Sequence, residues 1–534
     1  MLTIRAMSDG TGYSSRHLEH SDYYAEGERV IGRWYGRGAE LLGLRGEVKT
    51  DEFEALRQAC HPETGEFLRQ RQSADRTSQE GILQSRGRYL YDFTISAPKS
   101  VSIMAILGGD KRLLQAHENA VKEALQELER HAAARIRKGG LQDDRTTGNL
   151  AVAVYHHDSS RELDPQIHTH AVAANLTYDN EEGRWKALQA SGIYERRAYL
   201  TEIYRNSLAC QLRQLGYEID NRRDDRGRDC GFEIKGISDG LLAKYSQRSR
   251  QRDEAIGRFM AEKGRRPTDN EIAVLVRETR ADKLIEISTE QVRKRQRERL
   301  SPHEELLLSR LLPGQPEMTI AHESSEPSLR YAQEHIFERV SVCRDHEMLT
   351  EALRHGRGRI GHQELKTGLV LQESEGALLR DGAEYATTAS LSREREMIDC
   401  INRGIGGFEP LGNTQFIVSN RLNQEQRQAV EFVLGSRDRA VSIRGAAGTG
   451  KTVTLQELHR GLRDAGKDIL ALAPTVSAVE ELKMVGFKDA MTIERLLQDP
   501  NIQAWHKVLI IDEAGMVSGR QMRELLQIAE QNSA

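Results

Sequence analysis

The stretch NLAVAVYHHDSSRELDPQIHTHAVAANLTYDNEEGRW, residues 149–185, decides the reading of the first half of the chain. It reads as two β-strands joined by a polar turn. Leu150, Val152 and Val154 alternate with small residues on the way in, Asp158 to Pro165 is turn chemistry, and Ala171 to Leu176 is apolar on the way out. Side chains two apart on a strand share a face, about 6–7 Å apart at Cα. His168 and His170 therefore point the same way, and a paired neighbouring strand can bring His157 beside them. Three imidazoles on one sheet face can bind a divalent cation and leave positions open for a substrate oxygen. An isolated His-x-His on a strand is more often a pair of ordinary polar residues. His156 and His157 alternate faces, so spacing alone leaves open which of the two joins the cluster.

Working outward, the chain has 534 residues, too many for one core, so two or three domains are expected. Charged residues make up 30% and hydrophobic residues 38%, which suits soluble domains with highly charged surfaces. The net charge is −4, so any nucleic-acid surface must be local. Cys60, Cys210, Cys230, Cys343 and Cys400 are scattered and form no Cys-x-x-Cys, which argues against a zinc ribbon or a disulfide framework and fits a reducing cytoplasm. No apolar run of about 18 residues and no signal-peptide core is present, so no membrane insertion is expected.

Tyr13, Tyr23, Tyr24 and Tyr35 fall in a Gly- and Tyr-rich N-terminal stretch. YLYDFTISAPKSVSIMAIL, residues 89–107, begins as a strand and is broken by Pro98. A long helix is expected from Asp110 to about Lys138, with Leu114, His117, Val121, Leu125 and Leu128 on one face, and His117 and His131 read as helix histidines. Ile193 to Leu215 reads as a second helix, and Gly216 to Ile234 as a hairpin with Arg222, Arg223, Arg226 and Arg228 around its turn. Residues 240–310 are helical and charged. Their basic run VRKRQRER, 292–299, is the pattern of a solvated helix face. Residues 311–328 hold three prolines and read as a linker, and 329–400 as a small helical or winged-helix-like module.

A second chemistry stands near the C-terminus. In RGAAGTGKTVTL, 444–455, Gly445-x-x-x-x-Gly450-Lys451-Thr452 fits a phosphate-binding loop between an expected buried strand at Ala440–Ile443 and a helix from Val453. Glycines let backbone N–H groups face the phosphates, Lys451 reaches the β- and γ-phosphates, and Thr452 helps hold Mg²⁺. In KVLIIDEAGMV, 507–517, an apolar strand ends at Asp512, which would orient Mg²⁺, and Glu513, which would polarise the attacking water.

LNQEQRQAV at 422–430 and ALAPTVSAVEEL at 471–482 resemble the adenine-contacting glutamine motif and the DNA-contacting second motif of RecD-type superfamily 1 helicases, with Gln426 as the matching glutamine. The motifs HDSSRELDPQIHTHAVAANLT (157–177), DFTISAPKSVS (92–102) and WYGRGAELLGLRGEV (34–48), placed ahead of such an ATPase, resemble the MobF-type conjugative relaxases, relaxase–helicase proteins that nick plasmid DNA at a transfer origin. The resemblance covers most of residues 1–300. It implies His157, His168 and His170 as the ligands of a divalent cation, Mg or Mn with Zn as an alternative, and so chooses His157 over His156. It implies Asp92 as an active-site carboxylate that hydrogen-bonds a ligating histidine. It implies an N-terminal tyrosine nucleophile: SDYYAEGE supplies Tyr23-Tyr24, like the family's second tyrosine pair, while the first-pair region holds only Tyr13, out of register. Single-stranded DNA at a transfer origin, accessory relaxosome proteins and a type IV secretion coupling protein are the implied partners, in a bacterial cytoplasm.

The expectation is therefore an α/β protein. It has an antiparallel-sheet relaxase domain of the HUH endonuclease type at 1–300, a linker and accessory module at 301–415, and an incomplete RecA-like P-loop segment at 416–534. The chain stops at Ala534, soon after Asp512-Glu513, so the ATPase, which would take ATP with Mg, is expected to be inactive alone. Competing readings are an NTP-dependent helicase or origin-binding protein that does not nick, and a degenerate relaxase that binds without cutting.

Overall fold

A computed structural model of the chain describes residues 1–7, 30–69, 76–77, 83–84, 88–138, 141–160, 162–268, 271–272, 274–275, 289–314, 324–445, 449–499, 502 and 504–532. Tyr13, Tyr23 and Tyr24 lie outside the described residues, as do 446–448 of the phosphate-loop motif and the middle of the expected linker. The chain divides into two compact units. The first comprises Met1–Ser328 with Leu349–Lys366, and the second Leu329–Met348 with Thr367–Ala534. The first unit thus runs past residue 300 and includes a later segment.

The first unit is built on a five-stranded antiparallel sheet. Its strands are β1 (Leu2–Met7), β2 (Arg33–Tyr35), β3 (Leu90–Ser96), β4 (Val152–Ser159) and β5 (Pro165–Ala174), in the spatial order β1-β3-β5-β4-β2. The two histidine strands are thus neighbours, and β5 is central. Alternation decides the faces. Phe93 and Ile95 on β3, and Thr169 and Ala171 on β5, turn to the side covered by the helices Arg112–Arg130 and Arg197–Gln214, where all four are buried. Burying each phenylalanine or isoleucine contributes about 1.5–3 kcal/mol. On the other face Met7, Leu90, Ala153, Tyr155 and Val172 pack with Val48 and Phe53 at one end, and the histidines occupy the other.

The WYGRG motif owes its glycines to close approach. A Cβ on Gly38 would stand 2.5 Å from the Leu150 carbonyl carbon, and Gly36, at φ 99°, also abuts the Leu150 backbone. Buried Glu129 accepts the N–H groups of Arg37 at 2.8 Å and Leu150 at 2.9 Å, tying this turn to the start of β4.

The expected helix from Asp110 to Lys138 is shorter. It ends at Arg130, and Ala133–Lys138 forms a hairpin with Leu141–Thr146. From Ala134 onward, Ala134 and Ile136 alternate with Arg135 and Arg137, a short strand period that the absence of a breaker before Gly139 concealed. The hairpin expected at 216–234 is present as Ile219–Arg223 and Asp229–Ile234.

In the second unit a small antiparallel sheet of Cys343–Arg344, Leu378–Asp381 and Glu384–Thr387 accompanies helices, and a three-stranded parallel sheet follows in the order Met491–Thr492, Ile469–Ala473, Val508–Ile511. Both faces of the parallel sheet are covered, as such sheets require. Ala471 and Ala473 pack with Val430, Leu458 and Leu462, while Leu470 and Leu472 pack with Ile493, Leu496 and Leu525. The strand expected at Ala440–Ile443 is not formed, and Ile443 is 41% exposed. The adjoining Arg439 donates its N–H to Gly404 O at 2.9 Å and its side chain to Glu530 at 3.2 Å, which anchors the segment away from a ladder. No helix among the described residues is long and apolar enough to cross a membrane.

Candidate active site

The register of β3, β5 and β4 assembles the site. His157 stands directly opposite His168, and Thr94 directly opposite His170. The ring centres of His157, His168 and His170 form a nearly equilateral triangle, with sides of 5.2 Å, 5.4 Å and 5.2 Å. Three imidazoles bound to one tetrahedral cation at ordinary metal–nitrogen distances have centres roughly 5 Å apart. The spacing set by the backbone therefore fits an ion. The aim of the rings is not closed on one point: no set of three His, Cys, Asp or Glu side chains among the described residues is already arranged to hold a metal.

Hydrogen bonds fix two of the three tautomers. His170 Nδ1 meets Asp92 at 2.9 Å and 3.1 Å, and since a carboxylate only accepts, Nδ1–H donates. His168 Nδ1 meets the Gln166 carbonyl at 3.0 Å and must donate too. In a neutral ring whose Nδ1–H is donated, Nε2 carries the lone pair, the arrangement in which a neighbouring acceptor raises the basicity of a metal-binding histidine. Burial, reinforced by neighbouring His170, pushes the His168 imidazole down to about 4, so it is neutral at pH 7. Asp92 is itself buried and also accepts the Thr94 hydroxyl at 3.2 Å.

Behind the sheet stands a second set that the sequence did not disclose. Thr169, between the two site histidines, meets His117 Nε2 at 2.8 Å and His156 Nδ1 at 2.8 Å, and His117 Nδ1 meets Tyr204 Oη at 2.7 Å. His117 is thus a buried core histidine, its pKa driven well below the ordinary value by burial. His156 faces away from the triad, as alternation demands. The only sequence signal for this set was that Thr169 must occupy the opposite face from its neighbours.

The nucleotide-motif residues lie in the second unit. Lys451 and Thr452 open the helix Lys451–Asp464, whose preceding Gly450 is left-handed at φ 79°. Gln426 Nε2 donates to Thr449 O at 2.9 Å, which brings the glutamine motif to the phosphate loop, and Gly445 stands at the loop's other end. Asp512 and Glu513 follow Val508–Ile511. Asp512 N–H continues the sheet by donating to Leu472 O at 2.9 Å, and Glu513 is left-handed at φ 52°.

Comparison with known proteins finds two families along the chain. A family model described as TrwC relaxase matches residues 7–303, and one described as an AAA domain matches 421–534. The Multifunctional conjugation protein TraI of Escherichia coli strain K12 is 36% identical over 274 residues, covering 50% of this chain and 14% of its own. The ATP-dependent DNA helicase RRM3 of Saccharomyces cerevisiae is 34% identical over 125 residues, covering 20% of this chain and 17% of its own. A solved structure of conjugative relaxase TrwC in complex with oriT DNA, in its metal-bound form, is 32% identical, covers 56% of this chain and 97% of its own, and has a TM-score of 0.46. The chain spans about a seventh of the length of the TraI relatives it matches. Because the relaxase model covers more than half of its residues and the AAA domain follows it, the chain belongs to the TrwC relaxase family.

Proposed function

We propose that this chain nicks one DNA strand at a conjugative transfer origin by tyrosine transesterification, with His157, His168 and His170 as ligands of a divalent cation. The observation that carries the reading is the triangle of three imidazoles beside a buried carboxylate that orients one of them. In this reading the relaxase occupies about residues 1–300, an accessory module follows to about 415, and the phosphate-loop segment takes up the rest. Single-stranded DNA is the substrate. Accessory relaxosome proteins and a secretion coupling protein are its partners in the cytoplasm.

The donor set suits Mg²⁺ or Mn²⁺ held with open positions, and Zn²⁺ as an alternative. When bound there, such a cation supplies Lewis-acid stabilisation of the charge that develops on the scissile phosphate. The chain's own residues do the rest. Asp92 holds His170 in the tautomer that leaves Nε2 as a donor to the ion, and the Gln166 carbonyl does the same for His168. A tyrosine oxygen, from Tyr13, Tyr23 or Tyr24, attacks the phosphorus in line. The tyrosine gives up its phenolic proton, the phosphorus–oxygen bond to the 3′ side breaks, the leaving 3′ oxygen takes up a proton to become a 3′-hydroxyl, and a 5′-phosphotyrosine forms. The phosphoester bond is conserved, so religation needs no ATP.

Lys451, Thr452, Asp512, Glu513, Gln426, Gly445 and Gly450 are read as a separate site for ATP with Mg²⁺. The test of the nicking reading is peptide mapping of a trapped protein–DNA adduct. Attachment to Tyr13, Tyr23 or Tyr24 supports it, whereas attachment to another residue, or efficient cutting by a protein with phenylalanine at all three positions, overturns it.

A further inference from the structure

We propose that Arg293 and Arg299 are positioning residues that latch the loop joining the two histidine strands, and so set the spacing of His157 and His168. The inference rests on the metal reading of the triad and adds residues that lie some 130 positions away in sequence.

The observations converge on one short loop. The basic run at 292–299, whose pattern is that of a solvated face, belongs to the helix Thr289–Glu298 and its exit, and it is docked. Val292 and Gln296 on this helix are buried. Arg293 pairs with Asp158, the residue after His157. Arg299 pairs with Asp164 at 2.7 Å, a carboxylate that is 1% exposed. Between them Gln296 Nε2 donates to Leu163 O at 2.7 Å. The helix thus grips the loop at three successive points, with the i, i+3, i+6 spacing of one helical face.

The loop is one that has to be held. Leu163 has φ 58°, a left-handed conformation uncommon for a residue with a Cβ, which persists only where surrounding contacts over-determine it. Asp164 gathers further contacts: Gln247 N donates at 2.9 Å and Gln247 Nε2 at 2.9 Å. The far side of the latch is rigid as well. The Arg299 guanidinium also donates to Lys244 O, lies 4.5 Å from the centre of the Tyr245 ring, and Tyr245 Oη donates to Gln296 O at 2.7 Å. On β5, Lys99 Nζ donates to Pro165 O at 3.0 Å. The two strands are in register through His157–His168, and a shift lies between His157 and Ser159, where the loop begins.

An outer-shell contact that orients a ligand typically changes metal affinity by about 10–100-fold when removed. The experiment uses the full chain and Co²⁺ as probe, followed by its visible absorption band, together with hydrogen–deuterium exchange of the metal-free protein. Arg293→Met should weaken Co²⁺ binding by about tenfold or more, shift the band, and speed exchange across 157–168 while leaving 90–96 unchanged. Arg293→Lys should recover part of the affinity. The exchanged pair, Asp158→Arg with Arg293→Asp, should restore it to within about threefold, since the contact is charge with charge. Wild-type affinity, band and exchange in Arg293→Met would overturn the latch, as would a reversed pair no better than the single variant. If the wild-type chain takes up no Co²⁺, the metal reading falls, and the exchange arm alone decides the latch.

Discussion

Asp92 and His170 are joined across neighbouring strands, with Nδ1–H donating to a carboxylate that is 3% exposed, at 2.9 Å. The relationship is diagonal in the ladder, because Thr94 and not Asp92 stands directly opposite His170. Asp92→Asn replaces a charged acceptor by a neutral amide that can present either end to Nδ1. We expect divalent-ion affinity and nicking rate to fall by about 10–100-fold, with single-stranded DNA binding retained within a few-fold. Calorimetric Mn²⁺ titration beside a nicking assay checks this, and equal ion affinity in the two proteins would show that the pair does not tune the triad.

Removing a ligand should act more sharply. His168→Ala is expected to abolish nicking while single-stranded DNA binding stays within a few-fold, because binding energy comes mainly from an extended DNA surface. Gel-shift and nicking measurements on one preparation separate the two quantities. Cutting by His168→Ala at the wild-type rate with ions chelated would remove the triad from the mechanism.

The pair His168 and His170 was legible because a period of two is unambiguous: residues 168 and 170 must share a face and 169 must not, whereas His157 was separated from His156 only through the family motif. Asp92 could be placed only through its motif, since nothing in one strand's pattern says which neighbour it will reach. The contact of Thr169 with His117 spans 52 residues and has no local signature. The basic run at 292–299 was misleading for the same reason. Lys294, Arg295 and Arg297 do face solvent, but Arg293 and Arg299 look solvated only until their partners, Asp158 and Asp164, are brought in from another element. The docking of Leu349–Lys366 onto the first unit was equally hidden. It is carried by Arg357, whose side chain is fully buried and paired with Glu202 at 2.6 Å and Asp229 at 2.8 Å.

Gly38 should be intolerant of a side chain. Its φ is ordinary, so Gly38→Ala tests close approach alone, the new Cβ meeting the Leu150 backbone. Overpacking of this kind costs about 1–3 kcal/mol. Urea unfolding of the full chain should show that loss in the transition reporting the first unit. An unchanged midpoint would mean that the backbones part without cost.

Acid should loosen the Leu349–Lys366 segment. Burial pushes His362 down to about 4, against the favourable field of Glu127 and with Lys366 and Arg130 opposing protonation. The folded state therefore binds fewer protons than the unfolded one between about pH 6.5 and 4, and stability falls as pH falls through that window. The shift corresponds to about 3 kcal/mol. His362→Gln, which keeps a polar group beside Tyr199 without a titratable proton, should flatten the pH dependence of the first unit's unfolding between pH 7 and 5. A slope identical to wild type would assign the acid sensitivity to other groups.

The most direct measurement of the central claim uses a labelled single-stranded oligonucleotide, selected from a random library for binding to the full chain. It is incubated with Mn²⁺, with Mn²⁺ and chelator, and with or without ATP, then run on denaturing gels with peptide mapping of any shifted band. A covalent adduct on an N-terminal tyrosine is expected, one that requires the divalent ion and changes by less than about twofold with ATP, since transesterification conserves the bond. Strand cleavage without an adduct, or adduct formation undiminished by chelation, would contradict it.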